Sequence, residues 1–361
     1  MPAAWHEACS TRAMDFTHAS SSALTALAGD GAAPELVYVD DTRPGYGRKL
    51  FRGRFVYVDQ RGERIRDPKE IARINALAIP PAYGEVWICP DPAGHIQATG
   101  RDARGRKQYR YHPQWQAVRD ADKYAQLSEF GRALPRIRRR VQRALDAPGL
   151  GEEKVLAAVV RLLEATLVRV GNRAYARQNR SFGLTTLRPR HASLSGTRLR
   201  LRFRGKSGIE HDVTIADRRV ARVVRRCMEI PGQTLFHYLD EAGQPRGIDS
   251  SAVNAYLREA GQGDFTAKHY RTWAGSVLAL EWLRRMPREE GAAARQAVVE
   301  AVKAVAQRLA NTPAVCRACY IHPAIIDAYL RGELPATWPA SGPRGLSAAE
   351  RRLLAFLDGL G

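Results

Sequence analysis

Cysteine and lysine are both scarce in this 361-residue chain. The five cysteines, Cys9, Cys89, Cys227, Cys316 and Cys319, are too few and too scattered for a disulfide framework, which points to a reducing cytoplasm. Cys316 and Cys319 form a CxxC. No second pair or suitably spaced histidine completes a zinc site, so packing is the favoured reading and no metal is expected. No run of 18 apolar residues occurs, and the N-terminus has neither a basic start nor an apolar stretch ahead of a cleavage site. Both features argue against a membrane-spanning and an exported protein. A Walker loop, a GxGxxG after a strand and an HExxH are all missing, so nucleotide-driven and metal-driven chemistry have no visible seat and no cofactor is expected. Acidic residues are outnumbered, with 37 Asp plus Glu against 57 Lys plus Arg, a net charge of +20. Such an excess attracts polyanions, which makes nucleic acid the leading partner and an anionic membrane surface the second. Of the 57 basic residues only 8 are lysine and 49 are arginine. Where plain positive charge suffices this chain uses arginine, so each lysine is a candidate for a role that arginine cannot fill.

With 45% hydrophobic residues the chain can bury a sizeable core, and its length predicts two domains. Residues 1–33 are rich in Ala, Ser, Thr and Gly without sustained periodicity and read as a disordered leader. From Leu36 short β-type runs recur: Leu36–Val39, Arg54–Asp59 with a turn at Gln60-Arg61-Gly62, Val86–Cys89 and Ile96–Thr99. With a short helix at Lys69–Leu77 they predict a small antiparallel sheet domain over 34–115. Beyond His112-Pro113 the character turns helical. Leu134, Ile137, Val141 and Leu145 sit at helical spacing among five arginines. Residues 101–145 hold 13 Lys plus Arg against 4 Asp plus Glu, an excess suited to phosphate contact. Residues 152–178 read as one long helix. In a following hairpin Leu199, Leu201 and Phe203 alternate with Arg198, Arg200, Arg202 and Arg204, Gly205-Lys206-Ser207-Gly208 turns the chain, and Ile209, Val213 and Ile215 resume the apolar face. The rest is predicted to be largely helical, giving an α+β chain with a mainly helical domain over 116–361.

Several cationic residues stand in distinctive settings, ending in a tyrosine. They are Arg169 in Leu167-Val168-Arg169-Val170-Gly171-Asn172, Lys206 in its Gly-Lys-Ser-Gly turn, Arg271 in Lys268-His269-Tyr270-Arg271-Thr272-Trp273, and Tyr320 nine residues after Asn311-Thr312-Pro313. Upstream lies Gly105-Arg106-Lys107-Gln108-Tyr109-Arg110-Tyr111. In this order and at these separations the segments resemble the type IB DNA topoisomerases of the poxvirus and bacterial kind, from about residue 35 to the end. The resemblance implies an N-terminal sheet domain and a helical catalytic domain closing as a C-shaped clamp on double-stranded DNA. It also implies relaxation of both supercoil signs without ATP or metal. The enzyme is expected to act as a monomer associated with the nucleoid.

Tyr320 matches the family's nucleophile, which forms a 3′-phosphotyrosyl bond and releases a 5′-hydroxyl; the nicked strand swivels and the hydroxyl reverses the step. A phenol, with a pKa of about 10, is a passable leaving group for resealing. Arg169 and Arg271 match two arginines that hold the non-bridging phosphate oxygens, a task a planar guanidinium fits. Lys206 matches the general acid for the departing 5′-oxygen, and here the lysine count agrees, because an ammonium can release a proton and a guanidinium hardly can. Asn311 stands where the poxvirus enzymes place a histidine. An amide still donates one hydrogen bond but carries no charge, so oxyanion stabilisation is expected to weaken by about 1 kcal/mol. For the duplex, the resemblance carries over to Gln108, Tyr109 and Tyr111, flanked by Arg106 and Lys107, and to Tyr175 and Lys268.

Plainer readings stand beside these. Asn311-Thr312-Pro313 also reads as a helix start, Tyr109 and Tyr111 as a half-buried strand, and Arg169 as a partner for Glu164. A tyrosine recombinase shares the nucleophile, but recombinases usually show H-x-x-R at the second arginine where position 268 is lysine, and carry helices rather than strands at the N-terminus. A non-catalytic DNA-binding clamp would keep the fold without the chemistry.

Overall fold

The computed structural model describes residues 36–360, except 104, 288 and 339–341, with side chains left out over 116–122. The leader predicted over 1–33 lies outside the described residues. The chain divides into two compact units, one ending at Lys123 and the other beginning at Tyr124.

The first unit is built on a five-stranded antiparallel sheet of β1 (Tyr46–Phe51), β2 (Arg54–Val58), β3 (Gly84–Ile88), β4 (Ile96–Arg101) and β5 (Lys107–Tyr111), in the order β2-β1-β3-β4-β5. Arg52 and Gly53, at φ 48° and 76°, make the left-handed two-residue turn whose twist suits a β1–β2 hairpin. The helix Pro68–Ala76 starts where the Asp67 carboxylate accepts from the Lys69 N–H, ahead of a proline at its first position. It buries Ile74 against Ile88 and Ala98 of the sheet. Arg48 cross-braces the unit, donating to the carbonyls of Ile79, Pro80 and Tyr83 at 3.0, 2.9 and 2.8 Å. The expected strand Leu36–Val39 is reduced to one bridge, Val37 to Gly94. Strand β1, between β2 and β3, has no counterpart in the sequence reading, because a half-exposed strand carrying Arg48 and Lys49 lacks the apolar alternation that reveals a buried face.

The second unit packs helices around Glu152–Thr166, whose Val155–Val160, Leu162 and Leu163 are buried. Helices Arg218–Glu229, Ser250–Gly261 and Ala267–Leu283 lie against it. A three-stranded antiparallel sheet, β6 (Ala192–Ser195), β7 (Arg198–Arg204) and β8 (Glu210–Ala216), runs in chain order. Along β7 Leu199, Leu201 and Phe203 are buried and the four arginines exposed, the alternation read from the sequence. A two-stranded ribbon, β9 (His237–Leu239) and β10 (Pro245–Gly247), interrupts the region expected to be helical. Helices Gly291–Leu309, Pro313–Cys319, Pro323–Leu330 and Ala348–Asp358 also belong to the unit, as does Pro113–Asp146 from Tyr124 on, with Leu134, Ile137, Val141 and Leu145 buried.

The helix predicted over 152–178 is two helices. The first ends at Leu167, in the left-handed region at φ 58° and ψ 18°; the second, Arg173–Asn179, restarts where the Asn172 side chain accepts from the Tyr175 N–H at 3.0 Å. Between them the Arg169 carbonyl accepts from the Leu184 N–H at 3.0 Å and that of Val170 from Thr185 at 2.7 Å. These long-range partners replace helical ones and leave Arg169 outside any helix. Among the described residues no helix is long and apolar enough to cross a membrane.

Candidate active site

Arg271 lies in the second turn of the helix Ala267–Leu283 and is 4% exposed. Its Nη1 donates to the Leu167 carbonyl, and its Nη2 to the Leu309 carbonyl at 2.8 Å. Both acceptors sit at helix C-termini, where the macrodipole concentrates negative potential, so the guanidinium bridges the two ends favourably. Leu309 closes the helix Gly291–Leu309 and is followed by Ala310 at φ 46°. Leucine and alanine in the left-handed region each cost about 1–2 kcal/mol. The strain persists because the carbonyls it presents are held by a buried cation.

The same guanidinium carbon lies 4.9 Å from the centroid of the Tyr320 ring. Tyr320 follows the helix Pro313–Cys319, its N–H donating to the Cys316 carbonyl at 2.9 Å. The close approach of the Arg271 helix depends on Gly275, where a Cβ would fall 2.4 Å from the Tyr320 carbonyl oxygen. Arg169, beside Tyr320, is half-buried. Burial and then the Arg271 charge pull its pKa below the ordinary guanidinium value, while Tyr320 holds it up. Glu164, the alternative partner for Arg169, is instead bonded to Arg138 at 2.6 Å and Arg161 at 2.9 Å. Two guanidiniums thus stand together over a phenol, an arrangement that favours an anion between them.

Among the described residues, Arg271 Nε and Asn311 Nδ2 are buried donors with no acceptor. A buried donor left without a partner costs about 1–3 kcal/mol. Asn311 Oδ1 accepts from the Thr312 N–H at 3.1 Å, which directs the amide nitrogen away from the backbone. The helix start is real as well, but Thr312 performs it, accepting from the Val315 N–H at 3.4 Å with Pro313 in the first turn. Cys316 is fully buried and its thiol is pushed up to about 11 by burial, a packing cysteine as expected.

Lys206 is half-buried at the β7–β8 tip, in a turn closed by the Gly205 N–H donating to the Ile209 carbonyl at 2.7 Å. Beneath the turn lies His211, 9% exposed and stacked on Phe203 at 4.8 Å and 9°. Burial, then the charges of Arg169 and Arg271, lower its pKa. His211, Leu167 and Leu309 line one cleft of about 470 Å³ with Arg308, which donates to the Ala165 carbonyl at 3.2 Å. Sequence reasoning missed His211, Arg308, Leu167 and Ala310. Only His211 left a trace, as a polar residue between Ile209 and Val213 on the apolar face.

The residues predicted to contact a duplex are positioned locally. In the first unit Asp102 accepts from Arg106 Nε at 2.7 Å and Gln108 Nε2 at 3.0 Å, and Asp41 pairs with Lys107 at 2.5 Å. The Tyr109 and Tyr111 rings stack at 5.9 Å and 13° on β5. In the second unit Lys268 precedes Arg271 by three residues on its helix, and Tyr175 lies in the first turn of the helix after the Arg169 segment.

Residues 112–331 match the family described as "Eukaryotic DNA topoisomerase I, catalytic core", and residues 54–102 match "Bacterial DNA topoisomerase IB, N-terminal domain". The chain is 30% identical over 294 residues to "DNA topoisomerase 1B" of Acanthamoeba polyphaga mimivirus, covering 79% of this chain and 87% of the relative. It is also 20% identical over 251 residues to "DNA topoisomerase 1B" of Vaccinia virus (strain Copenhagen), covering 68% and 75%.

Proposed function

This chain belongs to the type IB DNA topoisomerase family, and from that premise we propose that it relaxes supercoils of both signs by transient cleavage of one strand, without ATP or metal. Tyr320 gives up its phenolic proton to water as its Oη attacks a backbone phosphorus, the P–O5′ bond breaks as the new P–Oη bond forms, and the departing 5′-oxygen takes a proton from Lys206. Bond energy is conserved in the ester. Religation runs the same steps backwards: the 5′-hydroxyl returns its proton to Lys206, and the phenolate leaves.

Arg169 and Arg271 neutralise the charge that grows on the non-bridging oxygens, and Asn311 adds a neutral donor. The observation that carries this reading is Arg271: its Nη atoms are committed to two helix ends while its buried Nε–H, beside the Tyr320 ring, lacks an acceptor that a phosphate oxygen would supply. Arg106, Lys107, Gln108, Tyr109, Tyr111, Tyr175 and Lys268 grip the duplex. We expect one copy of the chain to act on nucleoid DNA.

The test is relaxation of positively and negatively supercoiled plasmid with EDTA present and ATP absent. Relaxation of both signs is expected. Retained DNA binding without relaxation would refute the catalytic reading in favour of a non-catalytic clamp.

A further inference from the structure

We infer that His211 is a positioning residue for the cleavage reaction: its ring is the floor on which the Gly205-Lys206 turn rests, and it sets where the Lys206 ammonium stands. The inference rests on the reading of Lys206 as the general acid.

Three features of the hairpin carry it. First, His211 is directly opposite Phe203 in the β7–β8 register, and the two rings are stacked almost parallel, at 9°, so the imidazole plane is fixed from below. Second, the Nε2–Cδ2 edge of that ring meets the turn. A Cβ built on Gly205 would fall 2.5 Å from His211 Nε2 and 2.6 Å from Cδ2. Gly205 has φ −94° and ψ −165°, a conformation open to any residue, so contact with the imidazole rather than backbone strain demands glycine here. Third, His211 lines the same cleft as Leu167 and Leu309, the two residues whose carbonyls hold Arg271. The stack transmits position and not protons: burial and the two arginines favour the neutral imidazole.

The role predicts a kinetic signature that a merely structural residue lacks. A 5′-bridging phosphorothiolate has a leaving group that departs without a proton, so a defect confined to proton donation vanishes on it. Single-turnover cleavage by His211→Ala and Gly205→Ala should slow by about 10-fold or more on ordinary DNA, part of the roughly 10²–10⁴-fold a general acid supplies. On the phosphorothiolate both should return to within about threefold of the parent enzyme, as proton transfer no longer counts. The double variant should be no slower than Gly205→Ala alone, because removing the ring vacates the space the new methyl needs.

Lys206→Ala is the control. If it is not rescued by the phosphorothiolate, the general-acid reading itself fails. If it is rescued but the His211 and Gly205 variants are equally slow on both substrates, or cleave ordinary DNA at the parent rate, the positioning role of His211 is overturned. Gly205→Ala alone decides the matter should His211→Ala not fold.

Discussion

Replacing Arg271 with lysine keeps the charge and removes the fork, and so separates the two jobs this residue holds. The guanidinium spans the Leu167 and Leu309 carbonyls with its Nη atoms and still presents Nε. An ammonium is a compact point charge and cannot reach two helix ends and a phosphate together. One charge-assisted hydrogen bond to a helix-terminal carbonyl is lost, worth about 2 kcal/mol. For a unit of this size that lowers Tm by roughly 4–8 °C. The donor aimed at the phosphate is lost as well; by analogy with removal of one oxyanion-hole donor, cleavage should slow about 10²–10³-fold, or 2.7–4 kcal/mol. The assay is the rate of covalent adduct formation on a substrate whose cleaved 5′ fragment diffuses away, with thermal melting run in parallel. An Arg271→Lys enzyme that forms adduct within about threefold of the parent rate would refute the assignment of Nε to the phosphate, given the cost expected of a lost oxyanion donor. An unchanged Tm would refute the bracing of the two helix ends.

Tyr320→Phe should bind duplex DNA as the parent does and form no adduct on denaturing gels; a surviving adduct would move the nucleophile elsewhere. Asn311→Ala should slow cleavage about fivefold, the scale of one neutral hydrogen bond near 1 kcal/mol, and Asn311→His should recover or exceed the parent rate by restoring a charged donor; both are read in single-turnover cleavage. Glu281, paired with Arg284 at 2.8 Å and Arg352 at 2.6 Å, is held down to about 2 by those arginines although burial alone would raise it. Because the folded value is depressed, its stabilisation is present above the ordinary carboxylate range and is lost as pH falls from there towards 2. Glu281→Gln should therefore lower stability at neutral pH by up to about 3 kcal/mol, and the gap in melting temperature should close in acid.

Much of the candidate site was legible because its signals are local. The alternation of Leu199, Leu201 and Phe203 with four arginines can be satisfied only by a strand with one buried face. Thr312-Pro313 announces a helix start from its cap and its fixed φ. The lysine in the Gly-Lys-Ser-Gly turn stands out against a background of arginine in the sequence itself. Where local signals fell silent the reading erred. Strand β1 is half-exposed and shows no alternation. The stretch after Thr166 keeps an apolar helical rhythm through Leu167, Val168 and Val170, and the boundary signal, Gly171-Asn172, comes only four residues after the actual break.

What the sequence by itself determined is therefore the inventory: the excess of positive charge, the α+β division, the hairpin carrying Lys206 and the order of the candidate site residues. What only the tertiary structure decided is the meeting of Arg169, Arg271 and Tyr320. Leucine avoids the left-handed region in isolation; the break at Leu167 is held by a cation 104 residues away that binds its carbonyl and by Leu184 and Thr185, which take over the backbone bonds. The buried donors of Arg271 and Asn311, and the His211 ring beneath Gly205, likewise arise from contacts between segments far apart in the chain. Spacing along a sequence encodes a helix face or a strand face through a fixed local period. It holds no such period for the meeting of two helix ends around one guanidinium.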